Sequence, residues 1–332
     1  MPDFDSNTDT EDLIGTKALD GFRGLSLAAI RGVLPLGRAE PFVPGPDDDL
    51  IFGTSENDRL SGGAGHDQIS AGDTGPDARA DDVMFGGTGN DTLIAAGGKD
   101  RLFGGRGIDT LRLGAADWVD FDIDLAADSW VIDAGAYGRM VIDGFEHVFS
   151  ANGDDTVRGS AARNEIDAGG GHDLVFGRGG ADVILDRSGN DTVHGGAGDD
   201  TLRHDHVGLT ADLDLFFGGA GRDSFVFSDV GKSAVNTPDT IGDFARGQDK
   251  IDLSDLRGPG SVIVTPGGTF VIAGDLLDLT FLAREGFSGD GRAELRVARN
   301  RFEVDWDGDG TADMAVALTG AGYLARQDFL LG

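Results

Sequence analysis

The chain has 332 residues, of which 39% are apolar, so it is long enough to bury a substantial core. Its 59 acidic and 27 basic residues leave a formal net charge of −32, which disfavours nucleic acid and anionic membranes as partners. The absence of cysteine excludes disulfides, zinc–thiolate sites and cysteine nucleophiles. Most of the acidic residues are Asp, which favours turns and supplies oxygen ligands to hard cations.

Residues 1–44 precede the repetitive part of the chain. The apolar residues between Leu13 and Leu34 have partly helical spacing, but glycines interrupt them, so we predict a short capping helix or a flexible leader. The segment lacks the basic and apolar regions of a cleavable signal peptide, and no apolar run in the chain approaches the length of a membrane span. Export is therefore expected to use another route.

From residue 45 onward the sequence repeats with a period of nine, and its fullest copies read Gly-Gly-x-Gly-x-Asp before a short apolar segment, as in Gly195 to Leu202. In all fourteen copies the residue two positions after the Asp or Asn is apolar, so we expect it to face a core. The fourteen positions are Asp49, Asp58, Asp67, Asp82, Asp91, Asp100, Asp109, Asp155, Asn164, Asp173, Asp182, Asp191, Asp200 and Asp223.

Each repeat divides into a six-residue turn and a three-residue strand, so that two repeats make one coil of a right-handed parallel β-roll. Turns eighteen residues apart then stack at about 4.8 Å, the spacing of adjacent strands. Seven pairs of Asp or Asn meet in this way, namely 49/67, 82/100, 91/109, 155/173, 164/182, 173/191 and 182/200.

Two stacked turns supply carboxylates and backbone carbonyls, which match the six to eight oxygen ligands of Ca²⁺ better than the tight octahedron of Mg²⁺. We therefore predict about seven Ca²⁺ ions, with binding coupled to folding. The glycines expected to contribute to these sites are Gly63, Gly65, Gly87, Gly89, Gly105, Gly107, Gly170, Gly171, Gly179, Gly180, Gly196, Gly198, Gly219 and Gly221.

Between the repeat blocks, residues 113–150 are expected to form strands around 121–125, 130–132 and 140–142. The same segment contains Trp118, Trp130 and Tyr137, whose rings are suited either to stacking on sugars or, as we favour, to core packing.

Two other groups of residues each allow two interpretations of their role. The alternating carboxylates from Asp305 to Asp313 begin like an EF-hand loop without its bidentate Glu, so they form either a Ca²⁺ site or, as we favour, a solvated hairpin turn. His194, His204 and His206 suggest either a transition-metal cluster or, as we favour, exposed turn histidines. We find no serine nucleophile elbow, phosphate-binding loop or Ser/His/Asp arrangement, and we predict no catalytic residues and no organic cofactor.

The nonapeptide resembles that of the RTX, or hemolysin-type, calcium-binding family. The segments 223–227, 239–244 and 249–254, and the tail from Leu279 to Leu331, resemble the C-terminal domain of serralysin-type metalloproteases. The resemblance implies an all-β chain with two β-roll blocks, at 45–112 and 151–227, separated by inserted strands at 113–150. A C-terminal, strand-rich secretion domain is expected to occupy 228–332.

The resemblance also implies export in an unfolded state from a Gram-negative cell. The partners would be the type I secretion machinery, namely an ABC transporter, an adaptor and an outer-membrane channel. Asp328-Phe329-Leu330-Leu331 fits the acidic and apolar ending of an uncleaved C-terminal signal, although Gly332 follows it. Folding is then expected on contact with external calcium.

The protease activity of the family is not expected, because the histidines at 66, 147, 172, 194, 204 and 206 include no His-Glu-x-x-His pair and 44 residues are too few for a catalytic domain. We therefore expect a secreted, non-enzymatic calcium-binding protein, with surface or matrix adhesion as its role and no motif that names its extracellular target. The alternatives are an accessory module of a secreted hydrolase carried on another chain, and an enzyme of unrecognised type.

Overall fold

A computed structural model describes residues 45–72, 80–95, 97–114, 119–126, 130–133, 139–204, 212–228, 233, 235–256, 262–264, 270–272, 280–283, 287, 294–321 and 324–331. The helix or leader expected at 1–44 lies outside these residues, as do Trp118, Tyr137, His206 and the side chain of Trp130. In the part of the chain that is described, no helix has the length and apolar character needed to cross a membrane.

The repeats fold into a parallel β-roll, because each glycine-rich turn reverses the chain and sends the next short strand to the opposite sheet. Every second strand of the roll joins one long sheet of eleven strands. In spatial order these are β1 (Leu50–Phe52), β3 (Gln68–Ser70), β5 (Thr92–Ala95), β7 (Thr110–Leu113), β11 (His147–Phe149), β13 (Glu165–Asp167), β15 (Val183–Asp186), β17 (Thr201–His204), β19 (Ser224–Phe227), β21 (Lys250–Asp252) and β28 (Phe329–Leu330).

The alternate strands form two shorter sheets. The first has five strands, in the order β2 (Arg59–Ala64), β4 (Val83–Thr88), β6 (Arg101–Arg106), β10 (Arg139–Asp143) and β9 (Trp130–Asp133). The second has ten, in the order β24 (Thr280–Ala283), β25 (Glu294–Ala298), β26 (Arg301–Asp305), β27 (Met314–Leu318), β20 (Asp239–Ile241), β18 (Leu215–Ala220), β16 (Thr192–Ala197), β14 (Leu174–Gly179), β12 (Thr156–Arg158) and β8 (Asp122–Asp124). A separate hairpin pairs β22 (Val262–Val264) with β23 (Phe270–Ile272).

The core is a ladder of apolar side chains that repeats with the coils. Ile166 pairs in register with Ile184, and Ile184 with Leu202, so identical positions of successive turns stack on one another. All fourteen residues predicted to face inward are buried, with 0% to 7% of their surface exposed. The predicted ladder is confirmed, because strand side chains alternate and the middle residue of each short strand points inward.

The inserted segment contains the three predicted strands, and it continues the roll. β10 pairs with β6, β8 pairs with β12, and β11 lies between β7 and β13. The long sheet therefore runs through both repeat blocks without a break, while the opposite side changes from the first short sheet to the second.

Toward the C-terminus the roll continues into an antiparallel meander. β25, β26 and β27 pair antiparallel, and β27 joins the roll by pairing parallel with β20. After a short 3₁₀ helix at Arg326–Asp328, β28 pairs with β21 and becomes the last strand of the long sheet.

Candidate calcium sites

Each predicted carboxylate ligand is the last residue of a turn and lies immediately before the first residue of a strand. Thirteen of the fourteen are buried, and Asp58 is half-buried. Asp is unfavourable inside a strand but well suited to the last position of a turn, so the repeat places the acid at the boundary. Burial of a carboxylate is costly unless it is paired or binds a cation.

The structure brings together all seven pairs expected from the eighteen-residue spacing. In each pair the backbone N–H of the first residue donates to Oδ1 of the second, over 2.7 to 2.9 Å. One carboxylate oxygen of each stacked Asp is therefore used to hold the next turn in place. Charge-assisted bonds of this kind are among the stronger protein hydrogen bonds.

Six more pairs stack in the same way but are separated by 23 to 26 residues, because the turns between them are longer. A search with a fixed period of nine does not find these pairs. Three of their residues, Asp214, Asp239 and Asp249, are not among the fourteen predicted positions, although each is an acid followed two residues later by a buried apolar residue. The pairs are 58/82, 67/91, 191/214, 200/223, 214/239 and 223/249.

We call the row of stacked Asp residues the Asp ladder. The second carboxylate oxygen of many of its members is buried and accepts no hydrogen bond. This is true of Oδ2 in Asp67, Asp91, Asp109, Asp173, Asp182, Asp200 and Asp223. A buried oxygen without a donor is unfavourable in a protein on its own, and repeated in register it indicates a ligand that supplies positive charge.

All of these oxygens except that of Asp173 face small spaces beside the first glycine of the turn, which we call the leading glycine. A Cβ atom at Gly86 would lie 2.5 Å from Asp91 Oδ2 and 2.5 Å from the carbonyl oxygen of Gly104 in the next turn. At Gly195 the corresponding distances, to Asp200 Oδ2 and the Gly218 carbonyl, are 2.6 and 2.7 Å. Carboxylate and carbonyl oxygens from two turns thus converge on one space, and this donor set fits Ca²⁺.

The glycines predicted as ligands lie one to three positions beyond the leading position, and most of them shape the turn. Of the fourteen, all but Gly170 and Gly179 have positive φ, for example 110° at Gly196 and 139° at Gly198. Side chains are strained in that conformation, so glycine is needed for the turn to form. The sequence prediction missed the leading glycines, although a glycine five residues before the Asp or Asn is visible in eight of the fourteen repeats.

Burial raises the pKa of the ladder carboxyls in the absence of metal. Desolvation, together with neighbouring carboxylates, raises the pKa of Asp173 to about 8 and that of Asp182 to about 7. For Asp67, Asp109 and Asp223 the same causes raise the pKa to about 6. The ionised ladder is therefore unfavourable until a cation compensates it.

Three predicted positions differ from this pattern, because protein groups already satisfy their side-chain oxygens. Asp58 Oδ2 accepts from the N–H of Thr54 at 2.5 Å, and Asp155 Oδ2 accepts from the hydroxyl of Ser150. Asn164 accepts through Oδ1 and donates its amide to the Glu146 carbonyl at 2.7 Å. These turns are closed by hydrogen bonds.

The hairpin loop between β26 and β27 uses its carboxylates to fold itself. Asp305 accepts hydrogen bonds from the N–H groups of Gly308 and Gly310, both at 2.8 Å, and Asp313 accepts from Trp306 at 2.7 Å. The geometry is that of an acidic hairpin turn. Oxygens of Asp305, Asp307 and Asp313 nevertheless lie within 4.8 Å of one another.

The expectation of exposed turn histidines is wrong for His204, which is only 4% exposed. β17 extends two residues beyond its central Leu202, and strand alternation turns His204 inward as well. The ring of His194 is stacked between Phe176 and Phe217, at centroid distances of 5.0 and 4.6 Å.

A parallel roll whose stacked turns direct buried carboxylates and carbonyls at glycine-lined spaces is a calcium-binding β-roll. Residues 44–73 match the model of the RTX calcium-binding nonapeptide repeat, which binds Ca²⁺. Residues 62–331 match the model of the peptidase M10 serralysin C-terminal family, and the chain belongs to that family. It is therefore a secreted-type calcium-binding module.

Two solved structures share part of this sequence. The AlgE6R3 subunit of the Azotobacter vinelandii mannuronan C5-epimerase is 26% identical over 53% of this chain and 77% of that one, with a TM-score of 0.22. The extracellular lipase LipA from Serratia marcescens is 18% identical over 91% of this chain and 42% of that one, with a TM-score of 0.16. Among curated proteins, no sequence matches this chain.

Proposed function

We propose that this protein is exported unfolded, folds when it binds Ca²⁺ outside the cell, and then acts as a non-catalytic scaffold in surface or matrix adhesion. The observation that carries the calcium-binding step of the proposal is the row of buried Oδ2 atoms that lack hydrogen-bond donors, most of which face a leading glycine. Ca²⁺ at these spaces compensates charges that the protein itself leaves uncompensated.

Coupling of folding to calcium follows from the arrangement of the ligands. Each space is assembled from two turns, so an unfolded chain presents carboxylates but no preformed site. Because the ion binds the folded state and not the unfolded one, its binding free energy adds to the stability of the roll. With about seven ions bound, the formal charge of −32 falls to about −18, and the protein stays acidic.

Export before folding is supported by the position of the proposed C-terminal signal. Phe329 lies in β28 and is 2% exposed, and Asp328 beside it is completely buried. A transporter that recognises these side chains must therefore act before β28 docks on β21. We propose a type I secretion machinery and a Gram-negative source on this basis and on the family membership.

Circular dichroism of the full chain during a Ca²⁺ titration, with Mg²⁺ as the matched control, tests the folding step. We expect the β-sheet signal to appear with Ca²⁺, to be absent with Mg²⁺ at the same concentration, and to disappear when a chelator is added. A β-sheet signal that is complete in chelator and unchanged by Ca²⁺ would contradict the proposal.

A further inference from the structure

A different cluster of buried polar side chains lies inside the roll, at two of the turns that lack a leading glycine. Asp186 ends β15 and His204 ends β17, and the two residues are neighbours in the parallel register. Asp186 stands five residues before Asp191, the place that the leading glycines occupy in the calcium turns. In this turn a side chain therefore occupies the position that is left open for Ca²⁺ in the turns with a leading glycine.

The carboxylates of Asp214 and Asp239 complete this cluster. Oδ2 of Asp214 lies 3.5 Å from Nε2 of His204, and Oδ2 of Asp239 lies 3.7 Å from the same nitrogen. Their Oδ1 atoms accept the N–H groups of Asp191 and Asp214, at 2.9 and 3.0 Å. The ladder bonds thus fix both carboxylates with one oxygen directed toward His204.

Asp186 contributes two buried carboxylate oxygens to the cluster. It is 4% exposed, yet neither of its carboxylate oxygens accepts a hydrogen bond. Burial and the nearby carboxylates of Asp191, Asp214 and Asp239 all raise its pKa. A protonated His204 would offset a single charge, and the rings of Phe216 and Phe227, at 6.1 and 5.8 Å from the imidazole, provide no polar group.

We propose that Asp186, His204 and Asp214, with Asp239 beside His204, form a site for one divalent transition-metal ion of the Zn²⁺ type. An atom from each of the first three lies within 4.8 Å of the other two, and the separations of 3.5 and 3.7 Å are close to the roughly 3.3 Å between ligands of tetrahedral zinc. Imidazole nitrogen with carboxylate oxygen is a zinc donor set, whereas Ca²⁺ takes oxygen ligands. The metal differs from that of the glycine turns because the ligands differ.

Calorimetry with the full chain tests the site. The protein is first freed of transition metals, folded in saturating Ca²⁺ and checked by circular dichroism, and then titrated with Zn²⁺. We expect one tightly bound ion per chain that excess Ca²⁺ does not displace. Asp186→Asn and His204→Gln should each weaken Zn²⁺ binding by more than about 10-fold, while the exposed-histidine control His172→Gln should not.

Several results would overturn the proposal. One is the absence of Zn²⁺ binding by the folded wild type, and another is displacement of Zn²⁺ by Ca²⁺. The third is a loss of Zn²⁺ affinity in His172→Gln as large as that in Asp186→Asn or His204→Gln. Where Asp186→Asn or His204→Gln does not fold in Ca²⁺, the visible spectrum of the Co²⁺-loaded wild type decides. The intense bands of tetrahedral cobalt support the site, and the weak spectrum of octahedral cobalt contradicts it. Since folding in Ca²⁺ is measured separately, failure of this site is distinguishable from failure of the calcium proposal.

Discussion

Glycine serves two separate purposes in the turns of this roll. At positions such as Gly196 and Gly198 it permits the positive φ that the turn requires. At the leading position, represented by Gly177 and Gly195, φ is not positive, and glycine is needed because the space beside it is bounded by oxygens of two turns. Only the second purpose concerns the ion directly.

Gly177→Ala separates these two purposes. Its Cβ would lie 2.5 Å from Asp182 Oδ2 and 2.4 Å from the carbonyl oxygen of Gly195, so it occupies the proposed ion space at a residue whose own φ is not positive. We expect the variant to bind one Ca²⁺ fewer than wild type in calorimetry. Gly179→Ala in the same turn is the control, because its Cβ meets nothing closer than 3.6 Å and its φ is also not positive. Equal calcium stoichiometry in the two variants would count against the site.

At the scale of strands and turns, the ladder of Asp residues links neighbouring coils. Asp182 illustrates its central members, since its Oδ1 accepts from Asn164 N–H at 2.7 Å and its own N–H donates to Asp200 at 2.8 Å. Asp49 precedes β1, which is the outermost strand of the long sheet, and it donates to Asp67. The contribution of a ladder residue should therefore depend on its place along the roll.

Asp182→Ala is expected to weaken calcium affinity and stability more than Asp49→Ala. The central variant removes a proposed Ca²⁺ ligand and leaves the buried N–H of Asn164 without its acceptor, which costs about 1–3 kcal/mol before any lost ion is counted. Calcium titrations and urea unfolding of both variants measure the difference. Equal effects of the two substitutions would contradict the stacked-pair arrangement.

The whole molecule depends on contacts between the roll and the C-terminal meander. β28 extends the long sheet through β21, while the Phe329 ring packs edge-on against Phe302 of β26 at a centroid distance of 5.5 Å. Phe302 is fully buried. The residues proposed as the export signal therefore also tie the two halves of the fold together.

Phe329→Ala is expected to lower the free energy of unfolding in saturating Ca²⁺ by about 3–5 kcal/mol, because it deletes a buried aromatic ring. The neighbouring Leu330 is 43% exposed, so Leu330→Ala should cost well under that amount. Urea unfolding of both variants tests this. A loss in Leu330→Ala as large as that in Phe329→Ala would mean that β28 does not dock as described.

The features of this protein that depend on local chemistry could be predicted from the amino-acid sequence. Period-two alternation placed fourteen residues such as Ile184 and Leu202 inside, and the eighteen-residue spacing identified seven stacked pairs, because nine residues are one turn and one strand. The division into domains and the metal ligands themselves stay predictions.

The features that depend on contacts between distant parts of the chain became visible in the folded structure. The pairs made by Asp214, Asp239 and Asp249 could not be found from a constant spacing in the sequence, because the turns between them differ in length. Stacking requires only that the two residues occupy equivalent positions in successive coils. The continuity of the long sheet through β11 and the docking of β28 also come from strands far apart in sequence. The burial of His204 beside Asp186 is an example. The sequence predicted a three-residue strand, but β17 continues to His204, and the alternation of strand side chains then turns His204 inward.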